Sequence, residues 1–237
     1  MELKFLGRGS AFNIREGNTS AYFYSNGELF LIDCGESVFP KLISNYLLDN
    51  IKAVNIIITH THSDHVGSLG SLILYCFYNL NVKVNIILPC EHKYLDDLKD
   101  LLRIFGCSSK MYKFIYENEL TGKYDLFDSI KFMTTKHSKG MVCYGILFDT
   151  KTGILYYSGD TKEISNIKKI IKDYEIIDKV YIDTSSIDSE DNPHVYIGTL
   201  DEEIPPYLRD KFYCMHINDK KVISEAINSG FKVVDKL

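Results

Sequence analysis

Three histidines and an aspartate stand within six residues in the run His60, Thr61, His62, Ser63, Asp64, His65. The run follows Ile56, Ile57 and Ile58 and precedes Val66 and Gly67, so it lies where a buried strand gives way to a turn and then a helix. Side chains two apart on extended backbone point the same way, which lets His60 and His62 grip one ion. The turn that follows aims Asp64 and His65 back at the same place. Imidazole and carboxylate donors suit zinc or another borderline divalent ion rather than calcium. A single histidine in such a loop would as readily be merely solvated; three with a carboxylate at this spacing point to a metal centre.

The rest of the chain has to supply the strands and helices that hold this run. Apolar, β-branched segments over 29–32, 54–58, 84–88, 130–133, 144–148 and 154–157 predict strands, several of them covered on both faces. Helices are predicted over 39–49, 66–79, 91–105, 163–173 and 220–228, with Ser229 and Gly230 ending the last before a closing strand over 231–234. The second half repeats the first half's mixture of hairpin-like strand pairs and helices, so the expected class is α/β or α+β in layers. With 237 residues and no Pro-, Gly- or Ser-rich linker, one domain over 1–237 is the economical reading.

Composition narrows the setting. Six cysteines without a CxxC pair fit a reducing cytoplasm better than a disulfide scaffold. The amino-terminal residues do not read as a signal peptide, and no window approaches the ~20 apolar residues of a spanning helix, so no membrane association is expected. A net charge of −5 without a basic block argues against stable nucleic-acid binding by general phosphate neutralisation.

The HxHxDH pattern after a buried strand resembles the metallo-β-lactamase fold hydrolases. The stretches FLGRGSAFN at the start and LFLIDCGES at 29–37 resemble the opening strands of that fold's ribonuclease Z branch. Across the whole chain, through GNTSAYFY to MHIND, the similarity is to the phage anti-Pycsar proteins, a compact group of that branch that hydrolyses cyclic mononucleotides. The resemblance implies a four-layer αββα sandwich. It also implies a further ligand histidine, a bridging aspartate and a last histidine, matched here by His137, Asp160 and His216, each after a predicted strand. By analogy, His60, His62 and His137 take one metal and Asp64, His65 and His216 the other, with Asp160 between them. The cofactors implied are two divalent ions, zinc first, with manganese or magnesium as alternatives.

Two such ions can bind phosphodiester oxygens on either side of an attacking water and offset the charge that develops in an in-line displacement. Asp64 is implied, besides its ligand role, to accept the proton of that water. The segment from Ile182 to Ser185 with Asn192, Pro193 and His194 resembles the ribonuclease Z pair in which an acidic residue orients a histidine that protonates the leaving oxygen. Here those residues are Asp183, where that branch has Glu, and His194, which Val195 follows in place of a small hydroxyl residue.

Asp33 is placed to orient a ligand imidazole from behind, or simply to start a turn. His92 reads as a surface residue in the first turn of a helix. Arg8, flanked by Gly7 and Gly9, is either a phosphate contact or an exposed turn residue. The stretch 69–78 is apolar around nearly the whole helix, which requires burial on both sides or a second subunit. Relatives dimerise there, and a homodimer is expected.

The function expected is hydrolysis of 3′,5′-cyclic mononucleotides (cyclic CMP, UMP, AMP and GMP) to 5′-monophosphates, counteracting Pycsar defence from the host cytoplasm if the chain is phage-encoded. One alternative is ribonuclease Z-type tRNA 3′ processing, disfavoured because His137 and Asp160 lie only 23 positions apart, leaving no room for a tRNA-binding arm. A glyoxalase II-like thioesterase would add a helical C-terminal region, and a diiron redox protein an acidic residue at position 62. A non-enzymatic nucleotide-sequestering protein would be expected to have lost ligands.

Overall fold

A computed structural model describes residues 1–90 and 95–237. Among the described residues two six-stranded sheets form, each with its strands in sequence order. The first holds β1 (Lys4–Gly7), β2 (Ser20–Ser25), β3 (Glu28–Ile32), β4 (Val54–Ile57), β5 (Val84–Leu88) and β6 (Tyr112–Tyr116). The second holds β7 (Ser129–Thr135), β8 (Cys143–Thr150), β9 (Gly153–Tyr157), β10 (Ile177–Asp183), β11 (Phe212–Met215) and β12 (Lys232–Val233). In both, the first three strands run antiparallel and the later ones parallel. The repeated halves expected from sequence are therefore two copies of one topology. β4 has every residue buried, the polar Asn55 included, and its otherwise apolar make-up is that of a parallel strand covered on both faces.

Alternation along the strands sorts the side chains into layers. In β9, Leu155 and Tyr157 join the core that also contains the first sheet, whereas Ile154 and Tyr156 join a second cluster with Ile167 and Ile170 of α5 (Ser165–Asp173) and Leu200 of α6 (Ile197–Glu203). Val222 and Ala226 of α7 (Lys220–Asn228) complete that outer layer. On the other side, α1 (Val38–Ser44), α3 (Leu69–Asn79) and α4 (Leu95–Ile104) pack onto the first sheet through Leu42, Leu72 and Leu98. Aromatic rings bind the sheets together: Phe23 of β2 lies 5.9 Å from Phe148 of β8, and Phe5 of β1 lies 5.3 Å from Tyr181 of β10. Rings of this size are worth about 3–5 kcal/mol against alanine when buried. They therefore fix how the sheets sit, and any site shared by both depends on that.

Several predicted boundaries shift. The helix expected over 66–79 is two: α2 (Ser63–Val66) carries Asp64 and His65, and α3 follows after a break at Gly67 and Ser68. The helix expected over 39–49 stops at Ser44, because Tyr46 and Asn50 take left-handed backbone that ends a helix. The start expected at 91 lies outside the described residues, and α4 runs from Leu95. Within α3, Leu74, Tyr75 and Phe77 pack against the core from half-buried positions, and Tyr78 is exposed. All six cysteines are free thiols. No helix among the described residues is long and apolar enough to cross a membrane.

Candidate metal centre

The chemistry-bearing residues collect at the carboxyl ends of strands. Asp33 follows β3, His60 lies just beyond β4, Asp160 follows β9, Asp183 ends β10 and His216 follows β11. Parallel pairing aligns these ends: Tyr157 stands opposite Tyr181, and Asp183 opposite Met215, so Asp160, Asp183 and His216 emerge along one edge. His137 arrives from the end of β7 in the same sheet.

The local backbone is shaped for this. Asp33 and His216 take left-handed φ values of 63° and 58°, a conformation costing a non-glycine residue about 1–3 kcal/mol that persists only where surrounding bonds hold it. Asp33 is held by the Thr59 N–H and hydroxyl, which donate to its two oxygens at 2.7 and 2.8 Å. Gly35 is needed for a different reason. A Cβ there would collide with the carbonyl oxygen of Asp64, so only glycine lets α2 approach the β3 end closely enough for the Cys34 N–H to donate to the His65 carbonyl at 2.7 Å.

Two clusters result. His60 Nε2 lies 3.0 Å from His62 Nδ1, and His137 Nε2 lies 3.2 Å from the same atom. Donors at ~2.05 Å around a tetrahedral zinc would stand about 3.3 Å apart, so the spacing already suits one ion. In the second cluster Asp64 Oδ2 lies 3.3 Å from both His65 Nε2 and His216 Nε2. Asp160 joins the two. Its carboxylate is 3.4 Å from His65 Nε2 and 3.3 Å from His216 Nε2, and it also reaches His137 Nε2 at 3.6 Å and His60 Nε2 at 3.9 Å.

The outward nitrogens are anchored. His65 Nδ1 sits 2.8 Å from Asp33 Oδ2, and His60 Nδ1 sits 3.1 Å from the Thr59 hydroxyl. His137 Nδ1 donates to the Pro193 carbonyl at 3.0 Å. That carbonyl can only accept, so a neutral His137 carries its proton on Nδ1 and turns the Nε2 lone pair inward. His65 Nε2 is buried near two carboxylate oxygens yet aligned for a hydrogen bond with neither, as expected of an atom aimed at a common centre.

Charge tells the same story. Burial, reinforced by His65 and other neighbouring imidazoles, holds His60 far below the ordinary histidine range; burial and His137 also lower His62. Both keep lone pairs at neutral pH. For His216 burial works downward, but Asp160, Asp183 and Asp64 outweigh it and carry the imidazole to about 10. His65 is likewise raised well above its usual value by Asp160 and Asp33 against the pull of burial. Burial would raise Asp160, yet His216 and His65 hold it well below the carboxylate range. Protons on His65 and His216 thus stand where a cation would. The donors present fit divalent ions in two groups, His60, His62 and His137 in one and Asp64, His65, Asp160 and His216 in the other, with Asp160 also 3.6 and 3.9 Å from His137 and His60 of the first.

Loading the protein with metal near pH 7 must then expel those protons, on the order of one to two per protein, and affinity must weaken as pH falls and protons compete better. Calorimetric titration in buffers of different ionisation heat counts them; zero release would contradict this arrangement.

Beside the second cluster, Asp183 Oδ2 lies 2.7 Å from His194 Nδ1 while its Oδ1 lies 3.4 Å from His216 Nδ1. One buried carboxylate thus hydrogen-bonds His194 and stands at ion-pair distance from His216 without hydrogen-bond alignment, and it also accepts from the Thr161 N–H at 2.9 Å. Burial disfavours charge on His194, but Asp183 prevails and its imidazole is raised. The sequence offered no hint that Asp183 serves two partners, nor that Pro193 backs His137; a backbone carbonyl leaves no residue-type signal. Arg8 is not a loose turn residue. It pairs with Glu16 at 2.8 Å and donates to the Val234 carbonyl at 2.7 Å. His92 lies outside the described residues. The clusters open into a cavity of about 930 Å³ whose walls include His62, Asp64, His137, Asp160, His194 and His216.

Residues 1–234 match the family described as anti-Pycsar protein Apyc1. A protein of that name from Bacillus phage BSP38 is 29% identical over 92% of this chain and 89% of its own length. Another, from Bacillus phage 010DV004, is 42% identical over 93 residues, a stretch spanning 38% of this chain and 35% of that protein. In structure the chain is similar to YhfI, a metallo-β-lactamase fold protein from Bacillus subtilis, with a TM-score of 0.71 at 16% identity over 99% of this chain and 95% of that one. The expected fold is therefore the observed one.

Proposed function

Since the chain belongs to the anti-Pycsar protein Apyc1 family, we propose that it is a dinuclear metal phosphodiesterase that opens 3′,5′-cyclic CMP, UMP, AMP and GMP to 5′-monophosphates and so counteracts the Pycsar defence of bacteria. Family and fold support a metal-dependent hydrolase. The observation that carries the finer reading is the joint one: seven candidate ligands converge, and the Asp183–His194 pair stands at the same cavity.

Two divalent ions held there, zinc first with manganese or magnesium as alternatives, would neutralise phosphate charge and lower the pKa of an attacking water. Asp64, its carboxylate kept ionised against burial by the His216 hydrogen bond and the neighbouring His65 imidazole, is the acceptor for that water's proton. His194 donates a proton to the departing 3′ oxygen. Its Nδ1 is committed to Asp183, leaving Nε2 to carry that proton. Breaking the bond on the 3′ side leaves the phosphate at the 5′ position.

Size favours a small substrate over a folded RNA. The stretch between His137 and Asp160 is taken up by the β8–β9 hairpin and short connections, so it offers no arm for tRNA. A cavity near 930 Å³ falls within the range of small-molecule sites, roughly 300–1,000 Å³. The exposed Tyr78 on α3 is assigned to a homodimer contact, and action is proposed in the cytoplasm, the host's if the chain is phage-encoded.

Incubating the metal-loaded protein with the four cyclic mononucleotides and separating the products tests the reading. Chelator-sensitive formation of 5′-monophosphates is expected; 3′-monophosphates, or cyclic nucleotides left intact, would overturn it.

A further inference from the structure

The amino-terminal loop ahead of β2 carries a feature that the metal centre does not explain. Phe12 is 95% exposed and Ile14 89%, the two most exposed large apolar side chains among the described residues, and both line the cavity that holds the candidate ligands. Nothing in the packing of the described residues accounts for an aromatic ring held so far into solvent.

The loop is braced. Asn13 Nδ2 and the Ser10 N–H both donate to the Ile217 carbonyl, at 2.9 and 3.1 Å, and the Ile217 N–H donates to the Arg8 carbonyl at 2.7 Å. Turn bonds from Asn13 to Ser10, Glu16 to Asn13 and Gly17 to Ile14 close it internally, and the Arg8–Glu16 ion pair spans its base. Ile217 directly follows His216. A loop bolted beside a candidate ligand keeps its two apolar side chains at a fixed offset from the metal centre, with little ordering left to do when something lands on them.

We infer that Phe12, flanked by Ile14, is the platform on which the substrate's nucleobase stacks while its phosphate sits at the metal centre. This rests on the phosphodiesterase reading above and deepens it. Every base has a π-face, so a stacking platform binds pyrimidines and purines alike, whereas a hydrogen-bonding pocket would select one. Phe12 is thus a positioning residue, and tolerance among bases follows from its chemistry.

Exposure protects the test from misfolding, and the absence of tryptophan from the chain makes Phe12→Trp a sole indole reporter. Phe12→Ala is expected to raise KM by roughly 10- to 100-fold for all four cyclic nucleotides with kcat nearly unchanged. It should leave KM for base-free ribose 3′,5′-cyclic phosphate as in wild type, and Phe12→Trp should keep the wild-type KM for the nucleotides. Titrating metal-loaded Phe12→Trp with 5′-UMP should quench its emission saturably, and ribose 5-phosphate should not.

Normal turnover with no quench, or equal KM effects on base-free and base-bearing substrates, sinks the platform alone. A wild type that opens no cyclic nucleotide, with the quench present, sinks the phosphodiesterase reading and leaves a nucleotide platform standing; loss of both sinks both. Blue-shifted emission indifferent to 5′-UMP in a dimeric protein would mean that a second copy covers Phe12, and would overturn the inference.

Discussion

Asp160→Ala is expected to lower occupancy of both metal positions together and to cut turnover by roughly 1,000-fold or more. Charge stabilisation by a bound ion is worth several kcal/mol, and each ~1.4 kcal/mol is a factor of ten in rate. The reason both positions suffer is geometric: the Asp160 carboxylate lies within 3.3–3.9 Å of His65, His216, His137 and His60, two from each cluster. The variant should still fold, because β9 is held by the core residues Leu155 and Tyr157 rather than by the carboxylate. Asp160→Asn, which keeps the shape and removes the charge, guards against a packing artefact and should follow the alanine variant. Elemental analysis beside circular dichroism gives the answer. Two ions still bound per folded Asp160→Ala chain would count against the shared carboxylate.

His194→Ala should separate metal from chemistry. Its Nδ1 is occupied by Asp183 at 2.7 Å, and the six other histidine and aspartate side chains assigned to the two ions, with Asp160 between them, do not need it. Metal content should stay near wild type while kcat falls by roughly 100-fold or more, the scale of a lost general acid. The pH profile supplies a signature. Asp183 raises the His194 pKa despite burial, so His194 is protonated below that value, and activity that depends on its proton declines as pH rises through it. The wild type should show this alkaline decline and His194→Ala should lack it. Loss of metal from the variant would mean that His194 is a ligand instead, in a group with Asp160, Asp183 and His216.

How much of this could be read from residues alone varied with the scale of the signal. The HxHxDH run was legible because its spacing encodes geometry: strand alternation for His60 and His62, a turn for Asp64 and His65. His137, Asp160 and His216 carried no such local signature. What brings them together is the parallel register of β9, β10 and β11, and only the resemblance to a family pointed to them. The break at Gly67 and Ser68 was not visible in the apolar pattern, since Val66 stands in sequence directly ahead of the apolar run of α3. The support given by Pro193 and the double duty of Asp183 depend on long-range approach. Phe12 belongs to no pattern of residue types or spacing; only its exposure and its place on the cavity wall mark it.

The central claim is that this metal centre serves a small cyclic phosphodiester. It is tested most directly by parallel reactions of the metal-loaded protein with cyclic UMP and with a precursor tRNA bearing a 3′ trailer. Each cyclic nucleotide presents a single phosphodiester charge that two ions can meet, whereas tRNA needs a basic exosite that a chain of net charge −5 does not offer in any basic block. Conversion of cyclic UMP to 5′-UMP, stopped by chelator, with the trailer left in place is the predicted result; trailer removal with cyclic UMP intact would contradict it.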